Sequence, residues 1–248
     1  MKTWMDIAVK AARLAGEAIM EVYAQPFEVY TKEDASPVTQ ADLRASNIIK
    51  ETLKETGLPF VSEEDLPPDR SRFGRYWLVD PLDGTAEFVK RNGEFTVNIA
   101  LIENKRPVLG VIYAPTLDRL WTTENGKRKT ENGKLSTLRS QFSVLVSRSH
   151  RTPEVDDYID TVLRPLHPDL VIDSQGSSLK FARLVEGTAD VYVCFSKTKE
   201  WDTAAADAIL TAAGGKVLRI SDGLPLEYDK DDYPNPPFVA WAPKGDKR

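Results

Sequence analysis

Cysteine and histidine are nearly absent from this chain: one Cys, Cys194, and two His occur in 248 residues. A single thiol rules out an internal disulfide and fits a reducing cytosol. So few soft ligands leave little from which to build a zinc site. Basic tracts are missing too, and the net charge is -5. That argues against a nucleic-acid polymer as partner, which needs a Lys/Arg face. No apolar run approaches the ~20 residues that span a bilayer, and the N-terminus lacks a signal-peptide pattern. The expectation is therefore a cytoplasmic protein, monomer or homodimer, without a membrane partner. What remains is ordinary for a soluble globular chain, at 41% hydrophobic and 29% charged residues. The length suffices for one large domain or two small ones.

Hydrophobic periodicity gives mixed elements. Ile7, Ala11, Leu14, Ala18, Ile19 and Val22 fall at helical spacing over 3–24, and Leu43, Ile48, Ile49 and Leu53 repeat it over 39–56. "PFVSEE" (59–64) and "YWLVD" (76–80) read as short strands, and 95–124 as an antiparallel meander with turns near "ENKR" and "APTLD". Beyond 141, strands and helices alternate: a strand at 141–150, a helix after Pro153, a strand near 170–173 and a helix over 177–187. "DVYVCF", "GKVLRI" and "PFVAWA" follow as strands, with the helix of "WDTAAADAILTAAGG" closed by Gly214 and Gly215. The polar stretch 122–137 is the expected boundary between an N-terminal α+β part (1–137), carrying the antiparallel sheet, and a C-terminal α/β part (138–248).

The stretch "WLVDPLDGTAEFV" raises the functional question. Asp80 ends an apolar run, and Asp83 follows one tight turn later with Gly84 and Thr85 behind it. Two carboxylates about 4 Å apart repel by roughly 4 kcal/mol at an effective dielectric near 20. Either one takes a proton or a cation sits between them. Leu82 between them can offer its carbonyl. An all-oxygen site suits Mg²⁺ or Mn²⁺. The plain alternative is an Asx-type turn that binds nothing. Three further acids stand at element ends: Glu63 after a strand, Asp42 and Asp202 at helix starts. Asp42, three residues after Thr39, also fits a capping box, and the helix dipole alone favours Asp202. Gly84 and Thr85 add backbone N–H groups at a helix start, a seat for phosphate.

"SPVTQAD", the Glu63–Glu64 pair, "DPLDGT", "SRSH", "GSSLKF" and "EWDTAA", in this order over about 36–240, resemble the inositol monophosphatase superfamily of metal-dependent phosphatases. "DGTAEFVKRNGEFTVNIALIE" is similar to its bisphosphate nucleotidase branch, whose members remove the 3′-phosphate of adenosine 3′,5′-bisphosphate. The resemblance implies a layered αβαβα sandwich and two or three Mg²⁺ ions held by Glu63, Asp80, the Leu82 carbonyl, Asp83 and Asp202. It implies that Asp42 and Thr85, helped by Glu63, position or deprotonate the attacking water. It places Asp83, Gly84, Thr85, Ser177, Lys180 and Asp202 around the substrate's phosphates, puts His150 near its base or ribose, and predicts sensitivity to Li⁺.

Two positions depart from the branch. Ala86 stands where Lys commonly follows "DGT", and Cys194 stands where an Arg aligns; Lys197 or Lys199 could replace the lost charge. Cys194 itself reads as apolar filler in a strand. An inositol- or sugar-phosphate phosphatase on the same scaffold is the alternative activity, and a non-catalytic relative is the third reading.

Overall fold

The computed structural model describes residues 3–31, 37–67, 73–124, 141–230 and 232–243. Most of the expected 122–137 boundary lies outside the described residues. The first part holds α1 (Trp4–Tyr23), β1 (Val29–Thr31), β2 (Pro37–Thr39), α2 (Gln40–Leu53), β3 (Phe60–Ser62), β4 (Arg75–Asp83), α3 (Thr85–Val89), β5 (Thr96–Glu103), β6 (Arg106–Ala114) and β7 (Arg119–Thr122). The second holds β8 (Ser143–Ser147), α4 (Pro153–Tyr158), β9 (Val171–Gln175), α5 (Leu179–Val185), β10 (Val191–Cys194), α6 (Glu200–Ala212), β11 (Lys216–Arg219) and β12 (Phe238–Trp241). The β1–β2 hairpin went unread in the sequence. Its strands are only three residues long, and β1 is exposed throughout.

Two five-stranded sheets form, in the orders β3-β4-β5-β6-β7 and β11-β12-β10-β8-β9. Alternation along the strands shows the layering. In β4, Trp77 and Val79 join a core with Ala8, Ala12 and Ile49 of α1 and α2, whereas Tyr76 and Leu78 join Ala205 and Ile209 of α6. In the second sheet, Leu145 and Tyr192 face the same α5–α6 layer, while Val144 and Val193 pack outward on Val155 and Ile159. The layers thus run α1/α2, first sheet, α5/α6, second sheet, α4, which is the αβαβα sandwich expected.

Helix α6 is apolar nearly all round, as suits a helix between two sheets. It lies unusually close to β6: a Cβ built on Gly110 would stand 2.3 Å from the Ala205 carbonyl oxygen. Two acids are buried along it, Glu200 at its first residue and Asp207 midway. Asp207 accepts from the Tyr228 hydroxyl and the Thr211 hydroxyl, each at 3.0 Å, and Arg106 stands 3.9 Å away. Burial pushes its carboxyl above the ordinary carboxylate range, against the pull of Arg106 and these hydroxyls. As pH rises past ~4, the unfolded chain releases this proton first, so ionisation opposes folding until the raised native pKa is passed. Asp207→Asn is therefore expected to melt higher than the parent at pH 7. That advantage should vanish as pH falls to the ordinary carboxylate range. Melting curves from pH 4 to 8 check this; a deficit at every pH would mean the lost charge interactions dominate.

Candidate active site

One cleft of about 550 Å³ gathers almost all the residues singled out in the sequence. Its wall includes Glu63, Asp80, Leu82, Asp83, Gly84 and Thr85 from the first sheet's end, and His150, Ser177, Lys180 and Asp202 from the second half. Asp42 stands one residue behind this wall.

The local chain shows why the acids arrive there. Strand β4 does not stop at Asp80, as the sequence reading had it; it runs on to Asp83 with a register shift between the two acids. Asp80 stays on the face shared by Tyr76 and Leu78, toward α6, and is 2% exposed. Its Oδ1 accepts from the Leu82 N–H at 3.1 Å. The Asx-type contact therefore exists, beside a hydrogen bond between Asp80 and Asp202. The sharp turn comes at Gly84, whose φ of 94° lies in the left-handed region. A Cβ there would meet the Glu94 carbonyl oxygen at 2.9 Å and Ser177 Cβ at 3.2 Å.

Asp42 serves two partners at once. Its Oδ2 accepts from the Thr39 N–H (2.8 Å) and hydroxyl (2.7 Å), closing the capping box of α2. Its Oδ1 accepts from the Thr85 hydroxyl at 3.0 Å. Capping and a link to Thr85 were alternatives in the sequence; the structure contains both. Burial raises the Asp42 carboxyl above its ordinary value, opposed by these hydrogen bonds and abetted by the charge of Glu63.

Asp202 lies in the first turn of α6, with its Oδ2 accepting from the Lys199 N–H at 2.8 Å. Burial holds its carboxyl well above the ordinary range, and the charges of Asp83 and Glu63 push it further; a hydrogen bond with Asp80 pulls the other way. Asp80 of β4 and Asp202 of α6 are thus hydrogen-bonded to each other, and protonation of one is one of the two ways in which crowded carboxylates relieve repulsion. The other is a cation. Among the described residues, no three such side chains are already gathered to hold an ion. The donor chemistry nonetheless fits a hard divalent cation: the carboxylates of Glu63, Asp80, Asp83 and Asp202 and the Leu82 carbonyl line the cleft, whose one imidazole, His150, is exposed.

Across the cleft the picture is mixed. His150 is exposed. Lys180 is buried, which lowers its ammonium's pKa, and it donates to the Ser177 carbonyl (2.7 Å) and the Gln175 carbonyl (3.4 Å). It thereby holds a turn in which Ser177 takes a φ of 47°, rare for a residue with a Cβ. Lys197 and Lys199 both reach the wall, as does Ala86. Cys194 ends β10 at 2% exposure, the filler role expected of it.

Three residues near the acids were passed over in the sequence. Thr96 and Asn98 are buried on β5, and Ser178 is buried just before α5. Asn98 Nδ2 donates to Asp83 Oδ2 at 3.1 Å and to Ser178 Oγ at 2.9 Å; Thr96 Oγ1 lies 3.4 Å from the same carboxylate oxygen. The available signal was two polar residues at strand spacing on the inward face of an apolar strand.

A two-sheet sandwich with an oxygen-rich cleft between its halves defines a known class of phosphatase fold. The inositol monophosphatase family profile matches residues 1–245, and the chain belongs to that family. Among its relatives, the 3′(2′),5′-bisphosphate nucleotidase CysQ of Escherichia coli K12 is 43% identical over 250 residues, covering 94% of this chain and 98% of that protein. The protein of the same name from Salmonella typhimurium LT2 is 46% identical over 249 residues, with the same coverage. The crystal structure of CysQ from Bacteroides thetaiotaomicron superposes with a TM-score of 0.84 at 40% identity, covering 96% of this chain and 97% of that one.

Proposed function

We propose that the chain is a Mg²⁺-dependent phosphomonoesterase that hydrolyses the 3′-phosphate of adenosine 3′,5′-bisphosphate to AMP and phosphate. The observation that carries this is the meeting of Glu63, Asp80, Asp83 and Asp202 in one cleft with the Thr85–Asp42 pair at its edge. The relatives named as bisphosphate nucleotidases support the choice of substrate.

Glu63, Asp80, Asp83, Asp202 and the Leu82 carbonyl would hold two or three Mg²⁺ after rotating toward a common point. Bound there, the ions would supply charge neutralisation on the phosphoryl oxygens and an activated water. The chain's own part is positioning and proton handling. The Thr85 hydroxyl lies 3.0 Å from Asp42 Oδ1 and 3.2 Å from the Leu82 carbonyl; with its hydrogen donated to Asp42, the nearer acceptor, its oxygen can accept from a water in the cleft. Asp42, raised in pKa by burial, is then the better proton acceptor, and Glu63 helps to orient the water. On the far wall, Ser177 and Lys180 face a phosphate, and His150 lies near base or ribose. Two of the three Lys180 donors serve the 175–177 turn, which leaves one for substrate.

The test is a phosphate-release panel of adenosine 3′,5′-bisphosphate, inositol 1-phosphate and fructose 1,6-bisphosphate, with and without Mg²⁺. Preference for the nucleotide supports the proposal. Preference for inositol 1-phosphate moves the chain to the alternative branch activity, and no release from any of the three points to a non-catalytic relative.

The two departures give a sharper check. Ala86→Lys adds an ammonium on α3 at the cleft wall, one residue beyond Thr85. A charge-assisted hydrogen bond contributes about 1.5–3 kcal/mol. Lysine entropy and solvent reduce this, so the expected gain is a three- to tenfold lower KM, about 1 kcal/mol. It should shrink at high salt. An unchanged KM for the bisphosphate, or a gain only on inositol 1-phosphate, would count against the nucleotidase assignment.

A further inference from the structure

We propose that Asn98 is a positioning residue, a tie between the two halves of the site that sets where Asp83 stands relative to Asp202. The inference rests on the reading of these acids as cation ligands.

Asn98 sits on β5 directly opposite Asp80 in the β4–β5 register, on the face turned toward α6, and is 1% exposed. Asparagine is a poor strand former, and its neighbours on that face, Ala100 and Ile102, are core residues. Packing alone would favour an apolar residue here. The hydrogen bonds explain the choice. A carboxylate can only accept, so the amide nitrogen must be the end that faces Asp83, and that fixes the amide's orientation. The same nitrogen uses its second hydrogen on Ser178 Oγ at 2.9 Å, and the amide oxygen accepts from the Thr96 hydroxyl at 3.1 Å. Having accepted from Asn98, Ser178 donates its own hydrogen to the Asp202 carbonyl at 3.2 Å.

The result is a continuous chain in which each hydrogen has one destination, with Asn98 donating both ways: Asp83 carboxylate, Asn98 amide, Ser178 hydroxyl, Asp202 backbone. It joins the first sheet to α5 and α6 across the layer boundary. It runs beside the Asp80–Asp202 hydrogen bond, the other tie between β4 and α6, and is the one that reaches Asp83 itself. Partners that orient metal ligands typically matter 10–100-fold in metal affinity or activity.

The experiment is calorimetric titration of Mn²⁺ into the purified full chain, its Asn98→Ala and Ser178→Ala variants, and the double variant. Melting temperatures are taken without metal, and the Mg²⁺ concentration for half-maximal turnover is measured alongside. Asn98→Ala is expected to weaken Mn²⁺ binding about 10–100-fold and to raise the Mg²⁺ requirement in step, with KM for the phosphate ester unchanged at saturating metal. Ser178→Ala should weaken binding less, and the double variant should bind no worse than Asn98→Ala alone, because one cut already severs the chain. Costs that add in the double variant would overturn the proposal. So would a lowered melting temperature with unaltered Mn²⁺ affinity, which is what a purely structural role produces. If Asn98→Ala does not fold, Ser178→Ala with parental Mn²⁺ affinity overturns it equally. A parent chain that binds no Mn²⁺ would remove the cation-ligand reading itself, a result distinct from any difference among the variants.

Discussion

Asp83→Asn is expected to abolish nearly all turnover, on the order of 10³-fold or more, while the protein still folds. A loss this size exceeds that of removing one hydrogen-bond donor from an active site, about 10²–10³, because the substitution removes a whole charge from the cation site. The fold should survive because asparagine keeps the shape, and its carbonyl can still accept from Asn98 Nδ2, now 3.1 Å away. Stability should if anything improve, since one of the charges that push up the Asp202 carboxyl is gone. Phosphate release across a Mg²⁺ titration, together with a melting curve, checks both halves of the expectation. The parent enzyme should fall silent in excess chelator and be inhibited by Li⁺. Full activity in chelator would end the metal reading, whereas indifference to Li⁺ alone would weaken only the analogy with the family.

Thr85→Val carries the second large effect. It removes the hydroxyl that links Asp42 to the cleft, and the kcat should fall by the 10²–10⁴-fold typical of lost general-base catalysis, with KM little changed. Asp42→Asn isolates the same relay from the other side. Asp42 is the third helical residue of a capping box whose N-cap is Thr39, and the carbonyl of an asparagine there can take over the bonds from Thr39. The amide nitrogen then faces Thr85 and cannot accept its proton. Burial disfavours the Asp42 charge, so losing that charge should leave the melting temperature level or higher. Turnover would collapse while stability holds or rises. A variant that loses stability but keeps its kcat would show instead that Asp42 is only a cap.

The sequence made these acids visible because each sits where a strand or helix ends, and element ends can be read from periodicity. Asp80, Asp83 and Asp202 were therefore legible as candidates, as was the alternation of strand and helix after residue 141. The family resemblance supplied what the pattern could not, namely that ends 120 residues apart converge. Three details escaped. The continuation of β4 through Asp83 was hidden because Pro81 and two acids look like a turn, yet β5 supplies Thr96 as a register partner for Asp83. Asn98 and Ser178 escaped because their meaning lies in partners 15 and 80 residues away in the chain. The double duty of Asp42 escaped because one carboxylate was weighed as either cap or relay, whereas its two oxygens divide the tasks.

The close seating of α6 on β6 has a consequence for how such a protein can change over generations. Gly110 and the alanines of α6 carry no chemistry, yet they fix how deep the helix lies and so where Asp202 emerges. A single added methyl group at Gly110 would lift the helix and carry the acid with it. The residues at the cleft's mouth, Ala86, His150, Lys197 and Lys199, bear no such constraint from the packed layers. Selection can therefore exchange substrates by redrawing the mouth while the smallest, blandest side chains in the interior stay fixed alongside the acids. A saturation library scored for activity would then show, besides the acids, deep intolerance at glycine and alanine positions that no inspection of the chemistry alone would choose.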